Sequence, residues 1–261
     1  MRRVHCSVLA LATVLLGAAA CATRPEVEVA QSTPPMAAQP APMPAPAAQP
    51  APMETARVIA GGGISVAGWM GRIDANEMAA GQVLDNSKLA QMGDGLHVTT
   101  GPAVTYWNPA NRATGTYTVK ATFHESKYMA LNTHPHPYGI VIGGNDLGTD
   151  SQSYLYCAAY GNGNFIVRGF GPAPFQVNGR RGETHASVNK AAGPGEPVTQ
   201  EIAVTVHHDR VDCAINGTVV GNYPTAAVVG EGKLRSTDGV YGIRFAHNTE
   251  AMVSGLMMMK H

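Results

Sequence analysis

The sequence from Ala56 to His261 predicts an all-β fold, a two-sheet antiparallel jelly-roll β-sandwich that follows a disordered N-terminal leader. Three observations predict it. Short runs rich in β-branched and aromatic residues are punctuated by glycine and proline, and the chain holds 30 glycines among 261 residues. Gly115 to Phe123 alternates strictly between apolar and polar side chains. Asn216-Gly217 stands between two such runs, a strong short-range hairpin signal. About two hundred residues suffice for one domain of the larger all-β kind.

The elements follow in order. Gly95 to Thr100 alternates and stops at Gly101-Pro102, and Ala103 to Trp107 is a second short run. In the next strand Tyr117, Val119, Ala121 and Phe123 share one face, while Thr116, Thr118, Lys120 and Thr122 share the other. That is the half-buried pattern of an antiparallel sheet. Tyr138 to Ile142 comes next, then a Gly/Asp loop, then Ser153 to Tyr160. Gly161-Asn162-Gly163 turns the chain into Asn164 to Arg168. Glu201 to His207 and Arg210 to Asn216 are two strands joined at His208-Asp209, and Asn216-Gly217 leads into Thr218 to Tyr223. Gly239 to Phe245 and Met252 to Met259 close the domain. There is no convincing amphipathic helix and no repeat of fixed period.

The residues before Ala56 differ in kind. Arg2 and Arg3 precede an apolar run from Val8 to Ala20, which ends in small residues at Cys21. A basic start, a short apolar core and an A-x-A-like end are the parts of a secretory signal. Leu16 to Cys21 also resembles a bacterial lipobox, with Ala18 where leucine is usual. Residues 1–21 therefore read as a signal peptide whose Cys21 takes a lipid, with plain secretion as the alternative. The apolar run is shorter than the roughly 20 residues of a spanning helix. Ala22 carries no acidic inner-membrane retention signal, which points to an outer-membrane lipoprotein, periplasmic or surface-facing. Residues 22–55 are rich in Pro and Ala and cannot build a core, so they read as a disordered tether. Formal net charge is zero, which gives no electrostatic case for nucleic acid. Membrane contact is expected through the lipid alone.

Export sorts the cysteines. Cys6 falls within the signal and Cys21 is the acyl site, leaving Cys157 and Cys213 as a pair in an oxidising location. They can form a disulfide; each also lies in an apolar strand interior, where a free thiol packs as a small hydrophobe.

Several of these segments carry a resemblance. The run VTVHHDRVDCAINGTVVGNYP, from Val204 to Pro224, resembles the paired strands of concanavalin A-like lectin/glucanase (laminin-G-like) jelly rolls. GTYTVKATF resembles a sheet strand of that family. YGIVIGG with YLYCAAYGNGNFIVRGF resembles its following hairpin, and DGVYGIRFAHNTEAMVSGLMM its closing strand pair. The likeness spans most of Gly93 to Lys260 and implies two packed sheets. The superfamily includes lectins, glycan-binding modules, glycoside hydrolases and adhesion domains, so the fold leaves function open.

Chemistry-bearing residues narrow the choice. A retaining glycosidase generally needs two carboxylates about 5–5.5 Å apart, and no E-x-D-x-E-like run supplies them. Asp209 and Asp212 flank a turn, and Asp74 and Glu77 have the spacing of a solvated pair on one helical turn. Asp146 and Asp150 offer hard oxygens suited to calcium, although a polar Gly-rich turn is the favoured reading because EF-hand spacing is absent. No other cofactor is implied. His134 and His136 lie at i and i+2 of an extended segment and can point to one side, as zinc or copper ligands do. The prolines between and after them also mark a rigid lead-in to the strand at Tyr138. His207 and His208 are adjacent and face opposite ways.

Sugars stack on aromatic rings and bond to amides, guanidinium groups and carboxylates within a concave site. Trp107, Tyr106, Tyr128, Tyr138, Tyr154, Tyr156 and Tyr160 are available as rings, and core packing is the competing role of each strand tyrosine. Trp107 and Tyr106 beside Asn108, with Arg112, His136 and Arg168, make up the expected rim. Trp69 is expected to anchor the first segment. The expected function is a non-catalytic module that binds a glycan or cell-envelope polysaccharide. A divergent glycoside hydrolase and a protein-binding adhesion module are the alternatives.

Overall fold

The computed structural model describes residues 54–261. The expected signal peptide, its Cys21 and the expected tether up to residue 53 lie outside the described residues. Sixteen strands are present among them. In chain order these are β1 Gly63–Ile64, β2 Met70–Ile73, β3 Lys88–Met92, β4 Gly95–Thr99, β5 Val104–Ala113, β6 Tyr117–Glu125, β7 Tyr138–Asn145 and β8 Ser153–Ala159. Then come β9 Asn164–Phe170, β10 Pro174–Gln176, β11 Glu183–Thr184, β12 Val198–Val206, β13 Arg210–Ile215, β14 Thr218–Pro224, β15 Gly239–Phe245 and β16 Glu250–Lys260. Helices α1, Ala75–Ala79, and α2, Thr225–Val228, are short. Among the described residues no helix is long and apolar enough to cross a membrane.

The strands form two sheets that face each other as a jelly-roll sandwich. The first sheet has the order β1-β3-β4-β16-β6-β12-β13-β14. The second has the order β10-β9-β8-β7-β15-β5-β2, with β11 beside β9. Every pairing is antiparallel except β1 with β3. The alternation of β6 sets its orientation, since Tyr117, Val119, Ala121 and Phe123 are all buried in the core. Phe123 of the first sheet meets Tyr138 and Phe245 of the second at centroid distances of 5.5 and 6.0 Å. Asn216 and Gly217, both at positive φ, close the β13–β14 hairpin as a two-residue turn of that kind requires.

A disulfide joins Cys157 of β8 to Cys213 of β13, with 5.9 Å between their Cα atoms. It ties the two sheets together through the core. Closing a loop of 56 residues contributes about 4 kcal/mol in the chain-entropy picture.

Several boundaries differ from the sequence expectation, two of them near candidate site residues. β5 does not stop at Trp107 but continues through Pro109 to Ala113. Pro109 is tolerated because β2 pairs only as far as Trp107, so no ladder bond is lost on that side. At the N-terminal edge, Glu54 and Thr55, read as tether, are bonded to the domain. The Thr133 N–H donates to Glu54 Oε1 at 3.0 Å, and Asn248 Nδ2 donates to the Thr55 carbonyl at 3.0 Å. Composition carries no trace of such side-chain contacts. Trp69 is half-buried against the main core.

Candidate functional site

The outer face of the second sheet is covered by a second apolar layer. Val141, Tyr154, Tyr156, Ala158 and Ile166 are buried there, with Leu147, Tyr160 and Phe170 packed against them. Direct cross-strand partners point to the same face, so the register Trp107–Gly242–Val141–Tyr156–Arg168 places Arg168 at the margin of this layer. At its centre lies Arg244, the one charged side chain of an otherwise apolar β15.

Arg244 is buried and fully engaged. Its Nη1 and Nη2 donate to the two carboxylate oxygens of Asp74 at 2.8 and 2.5 Å. Nη1 also donates to Thr105 Oγ1 and to the Tyr154 hydroxyl, each at 3.0 Å. The guanidinium lies 4.9 Å from the Phe170 ring centroid and 5.0 Å from that of Tyr156. Burial opposes its charge, but the Asp74 carboxylate more than offsets this and holds its pKa well above the ordinary value. Asp74 is positioned by being the N-cap residue of α1, where the chain leaves β2.

Beside this pair a groove of about 430 Å³ opens. It is lined by Asp74, Glu77 and Arg244, by Tyr156, Tyr160 and Arg168, and by Arg180 and Arg181. His134, His136 and His247 line it as well. Arg168 is held by Gln176, to which its Nε donates at 2.7 Å. Arg180 and Arg181 are exposed. None of these three arginines has a carboxylate partner among the described residues. Burial raises the Tyr160 hydroxyl to about 12, so it stays a neutral donor.

The histidines are tightly packed. The His136 ring lies 4.3 Å from that of His134 and 4.1 Å from that of His247, centroid to centroid. His136 is only 6% exposed. Burial, and then the neighbouring His247, lower its pKa to about 4, so it is neutral. Burial likewise lowers that of His247.

The structure thus brings together His136, Arg168 and His134 of the residues singled out from sequence, with Tyr156 and Tyr160 of the wider ring set. It does not bring the others. Tyr106 is 0% exposed and packs between the sheets, so it is core and not rim. Trp107 is 3% exposed, because β5 runs on beyond it and the loop at Gly148 lies against its ring. Gly148 has a φ of +88° and a Cβ there would stand 3.5 Å from the indole, which suits glycine. Asn108 lines a separate hollow with Trp69, Gln91 and Asp94. Arg112 is exposed near the far end of β5, opposite Val240, and does not line the groove. Asp146 and Asp150, the calcium candidates, are each paired with an arginine. Asp146 is bonded to Arg235 at 2.8 Å and Asp150 to Arg72 at 2.5 Å, two separate surface pairs. Asp150 is 99% exposed.

Sequence reasoning missed Arg244, His247 and Glu54 as site residues, and it took Asp74 and Glu77 for a solvated pair. One signal was present. A lone arginine inside the apolar run VYGIRF needs a buried counter-charge.

No protein-family model and no curated protein matches this chain. Among solved structures it is similar to the carbohydrate binding module CBM66 from Bacillus subtilis, at 9% identity and a TM-score of 0.49, over 76% of this chain and 99% of that one. It is similar to the endo-beta-1,3-glucanase from Pyrococcus furiosus, at 12% identity and 0.48, over 74% and 88%. It is similar also to the exoplasmic/lumenal domain of VIP36 in its Ca²⁺/Man3GlcNAc-bound form, at 11% and 0.45, over 74% and 84%. The likeness is one of fold.

Proposed function

We propose that the protein is an exported, lipid-anchored envelope protein whose β-sandwich binds a glycan in the groove of the second sheet without cleaving it. The observation that carries the reading is the groove itself. It combines the half-buried Tyr160 ring with guanidinium, carboxylate and imidazole groups in one concavity, the mixture a saccharide face and its hydroxyls require. Acidic sugars are held best, because Arg168, Arg180 and Arg181 leave unbalanced positive charge in the groove. The non-catalytic reading rests on Asp74. Both of its oxygens are occupied by Arg244, so Glu77 is the carboxylate left in the groove, and hydrolysis generally needs a pair.

A panel of uronate-bearing and neutral polysaccharides tests this. Uronate-bearing chains should be retained, with Arg168→Ala weakening retention roughly tenfold, the scale of a lost charge-assisted bond. Retention of none, or release of reducing ends, would count against the reading. The anchor is tested separately: labelling with a palmitate analogue should mark the chain and be lost in Cys21→Ala.

A further inference from the structure

Three separate segments converge beside the groove. His134 and His136 come from the lead-in to β7, His247 from the turn between β15 and β16, and Glu54 from the first described residue. One ligand atom from each of the four lies within 4.8 Å of the others. His134 Nε2 and His136 Nε2 are 2.8 Å apart. His134 Nδ1 stands 3.2 Å from Glu54 Oε2.

The surrounding bonds fix which atoms are free to bind. His136 Nδ1 faces the His247 carbonyl at 2.5 Å, and a carbonyl only accepts. That nitrogen therefore carries the proton, and the lone pair of His136 sits on Nε2, aimed at His134. The Glu54 carboxylate is held from behind by Thr133, whose N–H donates to Oε1 at 3.0 Å and whose hydroxyl donates to Oε2 at 3.4 Å. His247 Nδ1 lies 3.8 Å from Glu77, while its Nε2 is buried with no hydrogen-bond partner. A histidine whose far nitrogen donates to a backbone carbonyl, and a carboxylate oriented by neighbouring donors, are the supports that metal ligands need.

We infer that Glu54, His134, His136 and His247 form a binding site for a divalent transition metal ion, zinc by its ligand chemistry. Three imidazoles and a carboxylate are the donors zinc takes, and calcium and magnesium would require more oxygens. A tetrahedral ion at about 2.0–2.1 Å from each donor sets the donors about 3.3 Å apart. One donor atom of each residue lies within 4.8 Å of the others, and closing on an ion draws them to that spacing. The ion would replace the hydrogen bond from His134 Nε2 to His136 Nε2 by two metal–nitrogen bonds and would give the unpartnered His247 Nε2 a partner. It would also pin residue 54 to the domain, at the point where the chain enters it. The inference does not depend on the glycan reading, since it concerns only these four donors.

The test uses the full chain, carrying no polyhistidine tag, stripped with chelator and titrated with Zn²⁺. One equivalent should bind and raise the melting temperature, as any ligand that binds only the folded state does. His134, whose side chain is 57% exposed, can be changed with little consequence for folding. His134→Ala should keep the melting temperature of the metal-free protein and weaken zinc binding more than the roughly 10–100-fold seen when only a supporting residue is lost. Glu54→Gln should weaken it in the same direction. With Co²⁺ in place of Zn²⁺, the visible spectrum of the bound ion should change in both variants. Binding of no zinc, or one equivalent bound equally well by the wild type and both variants, would overturn the assignment.

Discussion

The outer face of the first sheet is open to water and mixes threonines and charged side chains with the exposed Met257 and Met259; the outer face of the second is a layer of rings around a buried arginine. On the first, Thr118 and Thr205 hydroxyls meet at 2.8 Å, His124 Nδ1 meets Thr199 at 2.8 Å, and Lys120 faces Glu201 at 3.7 Å. On the second, Tyr154 stacks on Phe170 at 4.8 Å and Arg244 is enclosed with Asp74. The difference arises from what lies above each sheet. Asp74 and the start of α1 line the groove on the second sheet, and the segment at Gly148 lies against the Trp107 ring. The buried Arg244 and Asp74 interact in a medium of low dielectric, beside a concavity. A face open to water offers neither strong electrostatics nor a walled site.

The comparison is broken most directly at Arg244. Arg244→Ala leaves the Asp74 carboxylate partly buried and unpaired, and should cost about 3–5 kcal/mol in urea unfolding. Combining Arg244→Met with Asp74→Asn should recover most of that loss, because a buried pair replaced by neutral groups of similar volume is often nearly neutral. Failure of the double variant to recover would mean that the arginine acts through its ring contacts with Tyr156 and Phe170 rather than through Asp74.

A second test concerns the inner face. The alternation of β6 continues inward past Phe123 to Glu125, which is buried. Burial pushes its carboxyl from 4.5 up to about 7, and the Met129 N–H and the nearby Tyr138 hydroxyl pull only partway back. The folded state therefore binds the proton more tightly than the unfolded chain. This contribution is fully present below about pH 4.5 and is lost as the pH rises through about 7. Unfolding free energy should fall by roughly 2–3 kcal/mol across that window on account of this group. In Glu125→Gln the slope should vanish and the protein should be the more stable of the two at pH 8. An unchanged slope would place the titration elsewhere.

The same contrast explains what could be read from sequence. β6 and β12 alternate because one side of each meets water, and their registers follow from that. β8, buried at every position from Ser153 to Ala159, shows no alternation, since both of its faces are covered. Its continuous apolar run announces a strand but not which rings face the groove. At the site, the i and i+2 spacing made His134 and His136 legible. Their partners were not, because His247 is 111 residues from His136 and Glu54 lay in a segment whose composition suggested no structure; Asp74 and Arg244 are likewise 170 residues apart. Trp107 was misjudged for a local reason: Asn108-Pro109 marks a strand end in most settings, but here an unpaired edge let β5 pass through.

The smallest expected effect sharpens the comparison from the other side. Lys120 and Glu201 stand across β6 and β12 with side chains 35% and 45% exposed. At 3.7 Å in a high-dielectric setting, the pair gains little over separate hydration and is screened by salt. Lys120→Ala should change stability by no more than about 0.5 kcal/mol and leave glycan retention at the wild-type level. A loss of retention in this variant would move the binding surface to the first sheet and undo the assignment of the groove. If retention is instead lost with Arg168→Ala alone, two substitutions of single positive charges on opposite faces will have been separated by their surroundings. The groove on the second sheet, and not net charge, then determines where the ligand goes.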